Sequence, residues 1–312
     1  MVATNPYVQN LLPFGYILRG HYKIIKLIER GGFGITYLAQ DLDLPDCHLC
    51  VVKQLNREKY QDASVLDKVI ELFQRESKTL YELGLHPQIP TLFACFEEKE
   101  ELFFVQEYIE GHNLKREINS NILWSETKTV NFLKEILSIL DFVHKNSYIH
   151  RDLKPSNIMR RQSDGKIFLI DFGCVKVKNQ EIIDTLINST QANDSSRLLT
   201  IIGTPPYAPP EQMCKDDPKT VYANDIFAVG VIAIEGLTGT TNIKDWQSDY
   251  SNKIRSKSLV RFINKMTHKD CEKRYINAGH TLDEIENVAL CSSSREYSFK
   301  ERFKNWWERG EF

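Results

Sequence analysis

The 312-residue chain has no long hydrophobic run, no excess of charge of either sign and no paired cysteine pattern. Each absence removes a class of function. The longest apolar stretch, Ile226 to Ile234, is too short to span a bilayer and suits a buried helix. Met1 to Gly20 has no basic segment leading into an apolar core and a small-residue cleavage site, so no secretory leader is expected. With 40 Lys and Arg against 42 Asp and Glu the formal net charge is -2. Such a balance supplies no basic field for nucleic acid. The seven cysteines, Cys47, Cys50, Cys95, Cys174, Cys214, Cys271 and Cys291, are odd in number and scattered. They read as free thiols of a cytoplasmic protein. Cys47-His48-Leu49-Cys50 has the local look of a metal knuckle or redox pair, but no second C-x-x-C or paired histidine completes it. Loop and strand residues are the reading there. Repeats and low-complexity tracts are lacking as well.

What is present is a 42% hydrophobic content, enough for a substantial core, and a change of periodicity along the chain. Tyr22 to Ile28, Ile35 to Ala39, Cys50 to Gln54, Leu92 to Phe96 and Leu102 to Tyr108 read as strands, with one helix over Ala63 to Leu83. Beyond Gly111 helices take over. Val130 to Val143 has an amphipathic stripe, Ala223 to Leu237 is apolar nearly all round, and Ser258 to Met266 and Thr281 to Val288 are shorter. Strands followed by helices make an α+β protein with a sheet-rich small lobe and a helix-rich large one.

Two motifs carry the chemistry. His150-Arg151-Asp152-Leu153-Lys154-Pro155-Ser156-Asn157 is followed by Asp171-Phe172-Gly173. Upstream lie a glycine turn, Glu29-Arg30-Gly31-Gly32-Phe33-Gly34, and the strand Cys50-Val51-Val52-Lys53. Downstream is Gly203-Thr204-Pro205-Pro206-Tyr207-Ala208-Pro209-Pro210-Glu211. Glycines let backbone N–H groups approach phosphates without an intervening side chain. A buried lysine keeps its charge only beside a carboxylate.

In order and spacing these segments resemble the serine/threonine protein kinases of the eukaryotic-like, bacterial (Hanks) type, from about Tyr22 to Val288. The resemblance implies a bilobal fold, with an extension over residues 1–20, a kinase domain over 21–290 (small lobe about 21–108, large lobe about 109–290) and a tail over 291–312. It implies ATP as phosphoryl donor, proteins as acceptors, and magnesium, or manganese in its place, as the metal. Lys53 would bind phosphates, held by Glu76. Asp152 would orient the substrate hydroxyl and accept its proton, and Lys154 would neutralise the γ-phosphate. Asn157 and Asp171 would hold the metal. Adenine would lie among Ile28, Thr36, Val51 and Met159, against the backbone of Glu107 to Ile109, with Gln106 at the rear. Gly31, Gly32, Phe33 and Gly34 would cover the phosphates, Glu29 departing from the glycine usual at its place. Thr204 would shape the substrate platform, while His150, Glu211 with Arg274, and Asp225 would be architectural.

Thr200 is the candidate phosphorylation site, with Thr190, Ser195 and Ser196 as alternatives, and Arg151 would receive the phosphate. A transient dimer would serve autophosphorylation. Phe299, Phe303, Trp306 and Trp307 fall on one helical face of the tail, which docking onto the chain's own lobe would bury. Two other readings fit parts of this pattern: a pseudokinase scaffold, supported by Glu29, and a small-molecule phosphotransferase, opposed by Lys154 and Thr204.

Overall fold

The computed structural model describes residues 11–31, 34–60, 62–120, 122–173, 176–177, 204–209, 211, 221–240, 254–286 and 288. The chain divides into two compact units. One comprises residues 1–111, 161–164 and 170–173, the other 112–160, 165–169 and 174–312.

The first unit is built on an antiparallel sheet of β1 (Ile17–Leu18), β2 (Tyr22–Arg30), β3 (Gly34–Asp41), β4 (Leu49–Leu55), β5 (Leu92–Glu98) and β6 (Glu101–Glu107). Their order is β1-β2-β3-β4-β6-β5. Residues opposed across a ladder share a face. Thr36 therefore shares one face with Lys53 and Phe104, beside Leu38, Val51 and Gln106. The opposite face carries Ile35, Tyr37, Ala39, Cys50, Val52, Phe103 and Val105, which close into a core with Leu18, Tyr22 and Ile24.

Residues 11–20, placed in the extension by the sequence pattern, pack on that second face. Leu11, Leu12 and Tyr16 rest against its core. The Leu12 N–H donates to the Tyr37 hydroxyl (3.1 Å), which donates to Gln54 Oε1 (3.0 Å). Main-chain bonds join Ile24 N–H to the Tyr16 carbonyl and Gly15 N–H to the Ile24 carbonyl, both 2.8 Å.

The one long helix of this unit, α1 (Ala63–Leu83), starts at Asp62, whose carboxylate accepts the N–H groups of Ser64 and Val65. Val69, Leu72, Phe73, Leu80 and Leu83 form its buried stripe, with Glu76 inside it. The Phe73 ring meets Phe104 of β6 at 5.0 Å. A charge placed in such a stripe needs a partner, and β4 supplies it.

The second unit holds α2 (Leu114–Ile118), α3 (Glu126–Lys145), α4 (Ala223–Thr238), α5 (Lys257–Met266) and a helical stretch over 278–286. That stretch begins three residues before the expected start at Thr281. Nearly every residue of α4 is buried, which is why its sequence shows no polar face. Gly236 lies flat on Trp124: its carbonyl accepts the Trp124 N–H at 2.7 Å, and a Cβ there would come within 2.4 Å of the indole. Short strands β7 (Gly111–Asn113), β9 (Ile158–Arg161) and β10 (Ile167–Leu169) form a second sheet, and β8 (Tyr148–Ile149) pairs with β11 (Lys176–Val177). Runs of two to four residues are too brief to show alternation, so sequence periodicity missed them. Among the described residues no helix is long and apolar enough to cross a membrane.

Candidate active site

In the first unit, β4 and α1 bring Lys53 and Glu76 together, and the segment 170–173 adds Asp171. Lys53 Nζ lies 2.5 Å from Glu76 Oε1 and 3.4 Å from Asp171 Oδ1. The Phe104 ring lies beneath the ammonium at 5.4 Å. Burial alone would lower the Lys53 pKa. The two carboxylates, Asp171 ahead of Glu76, outweigh it and hold the pKa above the ordinary lysine value. Burial pushes Glu76 up, with the Asp171 charge adding to it and Lys53 opposing. One ammonium between two carboxylates leaves a surplus negative charge, and Asp171 keeps 43% of its side chain exposed. That exposed oxygen set suits a hard divalent cation. Gly173 belongs to the arrangement, since a Cβ there would stand 3.2 Å from Glu76 Oε2.

In the second unit Asp152 is the centre. Its Oδ1 accepts the Thr204 hydroxyl at 2.8 Å. Its Oδ2 accepts Lys154 Nζ at 2.6 Å and Asn157 Nδ2 at 3.2 Å. Lys154 also donates to Thr204 Oγ1 at 3.0 Å. The Asn157 amide donates to the Asp152 carbonyl too (2.9 Å), which fixes its plane and leaves its Oδ1 as the outward oxygen, touched by the Ser156 hydroxyl at 3.3 Å. Three side chains thus hold one carboxylate in a single orientation.

The loop bearing Asp152 is tied down from below. Asp225, in the first turn of α4, accepts His150 N–H and Arg151 N–H, both at 2.9 Å. Arg151 has a left-handed backbone (φ 68°), as does Asp171 (φ 66°), a conformation costly for side chains other than glycine. Asp225 also faces His144 Nε2 at 3.0 Å. Because His144 Nδ1 accepts the Ala278 N–H (3.2 Å), the proton sits on Nε2 and is donated to Asp225. Burial would raise Asp225, but these donors hold its pKa below the usual carboxylate value. Sequence reasoning missed His144. The available signal was a polar residue one turn past Leu140 on the buried face of α3. Nor did it single out Glu235, whose Oε2 accepts the Tyr207 hydroxyl at 2.7 Å.

The other expected residues fall as follows. Thr36 and Val51 lie on the Lys53 face of the sheet, while Ile28 is exposed on β2. Glu29 stands opposite Thr36 in the ladder with its side chain exposed. Gly31 N–H bonds the Gly34 carbonyl at 2.8 Å; Gly32 and Phe33 lie outside the described residues. Gln106 and Ile109 are buried. The Glu107 N–H is taken by the Thr91 carbonyl (2.9 Å). Met159 is half-buried on β9. His150 is fully buried, its Nδ1 accepting the Asp152 N–H at 3.4 Å. Arg274 pairs with Glu211 and lies over the Phe227 ring at 4.7 Å. Thr200, its alternatives and the aromatic tail lie outside the described residues. Cys50 is buried in β4 with its thiol pushed up to about 12 by burial first and Asp41 second, and His48 Nδ1 contacts the Pro45 carbonyl at 2.7 Å.

The model of the protein kinase domain family matches residues 22–286. The chain belongs to the protein kinase family. Among curated proteins, this kinase chain is 41% identical to "Serine/threonine-protein kinase B" of Synechocystis sp. over 86% of its own length and 47% of that protein's. It is 41% identical to "Serine/threonine-protein kinase PknA" of Nostoc sp. over 72% of the chain and 38% of the relative. To "Serine/threonine-protein kinase PrkC" of Bacillus subtilis it is 30% identical, over 85% and 40%. The kinase chain thus spans less than half the length of these relatives. Crystal structures of the Mycobacterium tuberculosis PknI kinase domain superpose with a TM-score of 0.64, at 18% and 20% identity, over 89% and 90% of this chain and all of theirs. They share its fold. Family membership implies use of ATP and a divalent metal.

Proposed function

We propose that the protein transfers the γ-phosphoryl group of ATP to serine and threonine hydroxyls of proteins. The observation that carries this reading is the Asp152 carboxylate, gripped by Thr204, Lys154 and Asn157. A substrate hydroxyl delivered to Asp152 would meet an acceptor of fixed orientation. The nucleophilic oxygen would be aimed by it and would lose its proton to it as the bond to phosphorus forms. Lys154 would stabilise negative charge gathering on the transferred group, and Lys53 would hold the nucleotide's phosphates, fixed in place by Glu76. Asn157 and Asp171 would hold magnesium, or manganese, which when bound supplies charge neutralisation to the phosphates. Adenine would rest on Thr36 and Val51, with Ile28 and Met159 as further contacts.

Serine and threonine specificity rests on Lys154 with Thr204, and on the names of the curated relatives. Thr200 is the proposed autophosphorylation site, reached in a transient dimer. Replacing it by alanine should then lower both phosphate incorporation and activity, and unchanged values would remove it as the switch.

The test uses radiolabelled ATP and a generic protein substrate, comparing the unaltered chain with Asp152→Asn. Labelling of serine or threonine should fall about 10²- to 10⁴-fold in the variant. Failure of the unaltered chain to label any protein with either metal would overturn the reading.

A further inference from the structure

Outside the site already described, one group of side chains has the composition of a metal centre. His21 immediately precedes β2, Asp41 ends β3 and Asp43 follows it; one ligand atom from each lies within 4.8 Å of the other two. The ladder forces the meeting. Tyr22 stands opposite Asp41, and Leu42 N–H donates to the His21 carbonyl at 3.0 Å, so imidazole and carboxylates project from adjoining chain ends. His21 Nδ1 is 3.5 Å from Asp43 Oδ2.

Asp41 makes this more than a surface coincidence. It is 8% exposed, and the one hydrogen bond to its carboxylate among the described residues, from the Asp43 N–H at 3.1 Å, comes from within the group. No lysine or arginine pairs with it there. Its neighbours include Tyr22 and Cys50, acids whose pKa values are raised by burial first and by the Asp41 charge second. A cation placed among the three ligand atoms would neutralise a carboxylate that has no cationic side chain beside it among the described residues. Asp43 and His21 are more exposed, with side-chain exposures of 74% and 24%, and can adjust.

We infer that His21, Asp41 and Asp43 bind a divalent first-row transition ion. One imidazole nitrogen and two carboxylate oxygens suit zinc, cobalt or manganese, and water would complete the shell. Magnesium and calcium prefer all-oxygen sets, so the imidazole separates this centre from Asn157 and Asp171. Tetrahedral ligands around zinc lie roughly 3.4 Å apart, so closure needs about an ångström of movement, available to the exposed Asp43. The bound ion would tie the start of β2 to the end of β3. That stabilisation follows from binding the folded chain alone.

Cobalt(II) is the probe, added to the full chain without nucleotide and followed by its visible absorption. One equivalent should bind, with a rise in melting temperature. Binding should weaken at least tenfold in His21→Asn and in Asp43→Asn, whose exposed side chain leaves folding unaffected. It should persist in Asp171→Asn. Equal binding by the His21 and Asp43 variants would overturn the inference. So would a thiolate-to-cobalt band lost in Cys47→Ala, or binding lost in Asp171→Asn. Failure of phosphoryl transfer would leave these results untouched.

Discussion

Each of the two units holds a cluster of charged side chains, and they assemble it by different means. In the first, Lys53, Glu76 and Asp171 come from a strand, a helix and a distant loop. The sheet and α1 bury the lysine and glutamate, leaving them 16% and 11% exposed. In the second, Asp152, Lys154 and Asn157 sit within six residues of one loop, joined by Thr204. The first trio is part of the core, and its charges are also structural. The second is a loop assembly, equally buried at Asp152 (9% of its side chain exposed) and held from beneath by Asp225. The Lys53–Glu76 pair ties two separate elements of the fold together, whereas Asp152 finds its partners within one anchored loop and at Thr204.

The largest effect expected from this contrast is on Lys53. Lys53→Met should abolish phosphoryl transfer and destabilise the chain by about 3–5 kcal/mol, because Glu76 and Asp171 are left with uncompensated charge. Asp152→Asn should lose comparable activity with an unchanged melting temperature. Equal stability losses in the two variants would end the contrast. Next comes the anchor. Asp225→Ala strands three N–H donors, each worth about 1–3 kcal/mol when buried unsatisfied, so denaturant unfolding should show a loss of several kcal/mol. Lower still is Gly236→Ala, which forces a methyl into Trp124 and should cost about 1–3 kcal/mol while activity per folded molecule stays the same.

The smallest effect separates the sheet's outer face from both sites. Cys50 has its thiol raised in the folded chain to about 12. The folded state therefore retains a proton that the unfolded state gives up, and this stability is present below the ordinary thiol value and lost as pH rises through it. Between about pH 9 and 10 Cys50 should add a slope of up to about 1.4 kcal/mol per pH unit to that of the tyrosines whose pKa values burial also raises. Cys50→Ala should flatten it, as unfolding measured along a pH series would show.

Legibility followed the same division. The loop of the second unit was readable because its residues are neighbours in the chain and its geometry is local. The strands and helix of the first unit were readable from alternation and from the 3.6-residue stripe. The match of Glu76 to Lys53 came from the family resemblance, and Lys53 with Asp171 spans 118 residues, which no local pattern encodes. His144 was hidden because a histidine at the end of an amphipathic helix looks like a polar margin. It becomes an anchor only once α4 places Asp225 against it. The two- to four-residue strands carried too few side chains for any period to register. Residues 11–20 fall in the extension because their apolar side chains, Leu11, Leu12 and Tyr16, follow no period; the sheet supplies the surface that gives them meaning.

That segment has a practical consequence for where the domain is taken to begin. The shared family pattern starts at residue 22, in β2, yet β1 and the chain before it cover what β2 and β3 would otherwise expose. A protein trimmed to that start would keep every residue proposed for catalysis. It would uncover the aromatic surface around Tyr37 and the two positions of β2, Tyr22 and Lys23, that β1 pairs, and exposed surface of this kind recruits other chains. The family pattern begins at residue 22, whereas the packing of the sheet's core begins by residue 11.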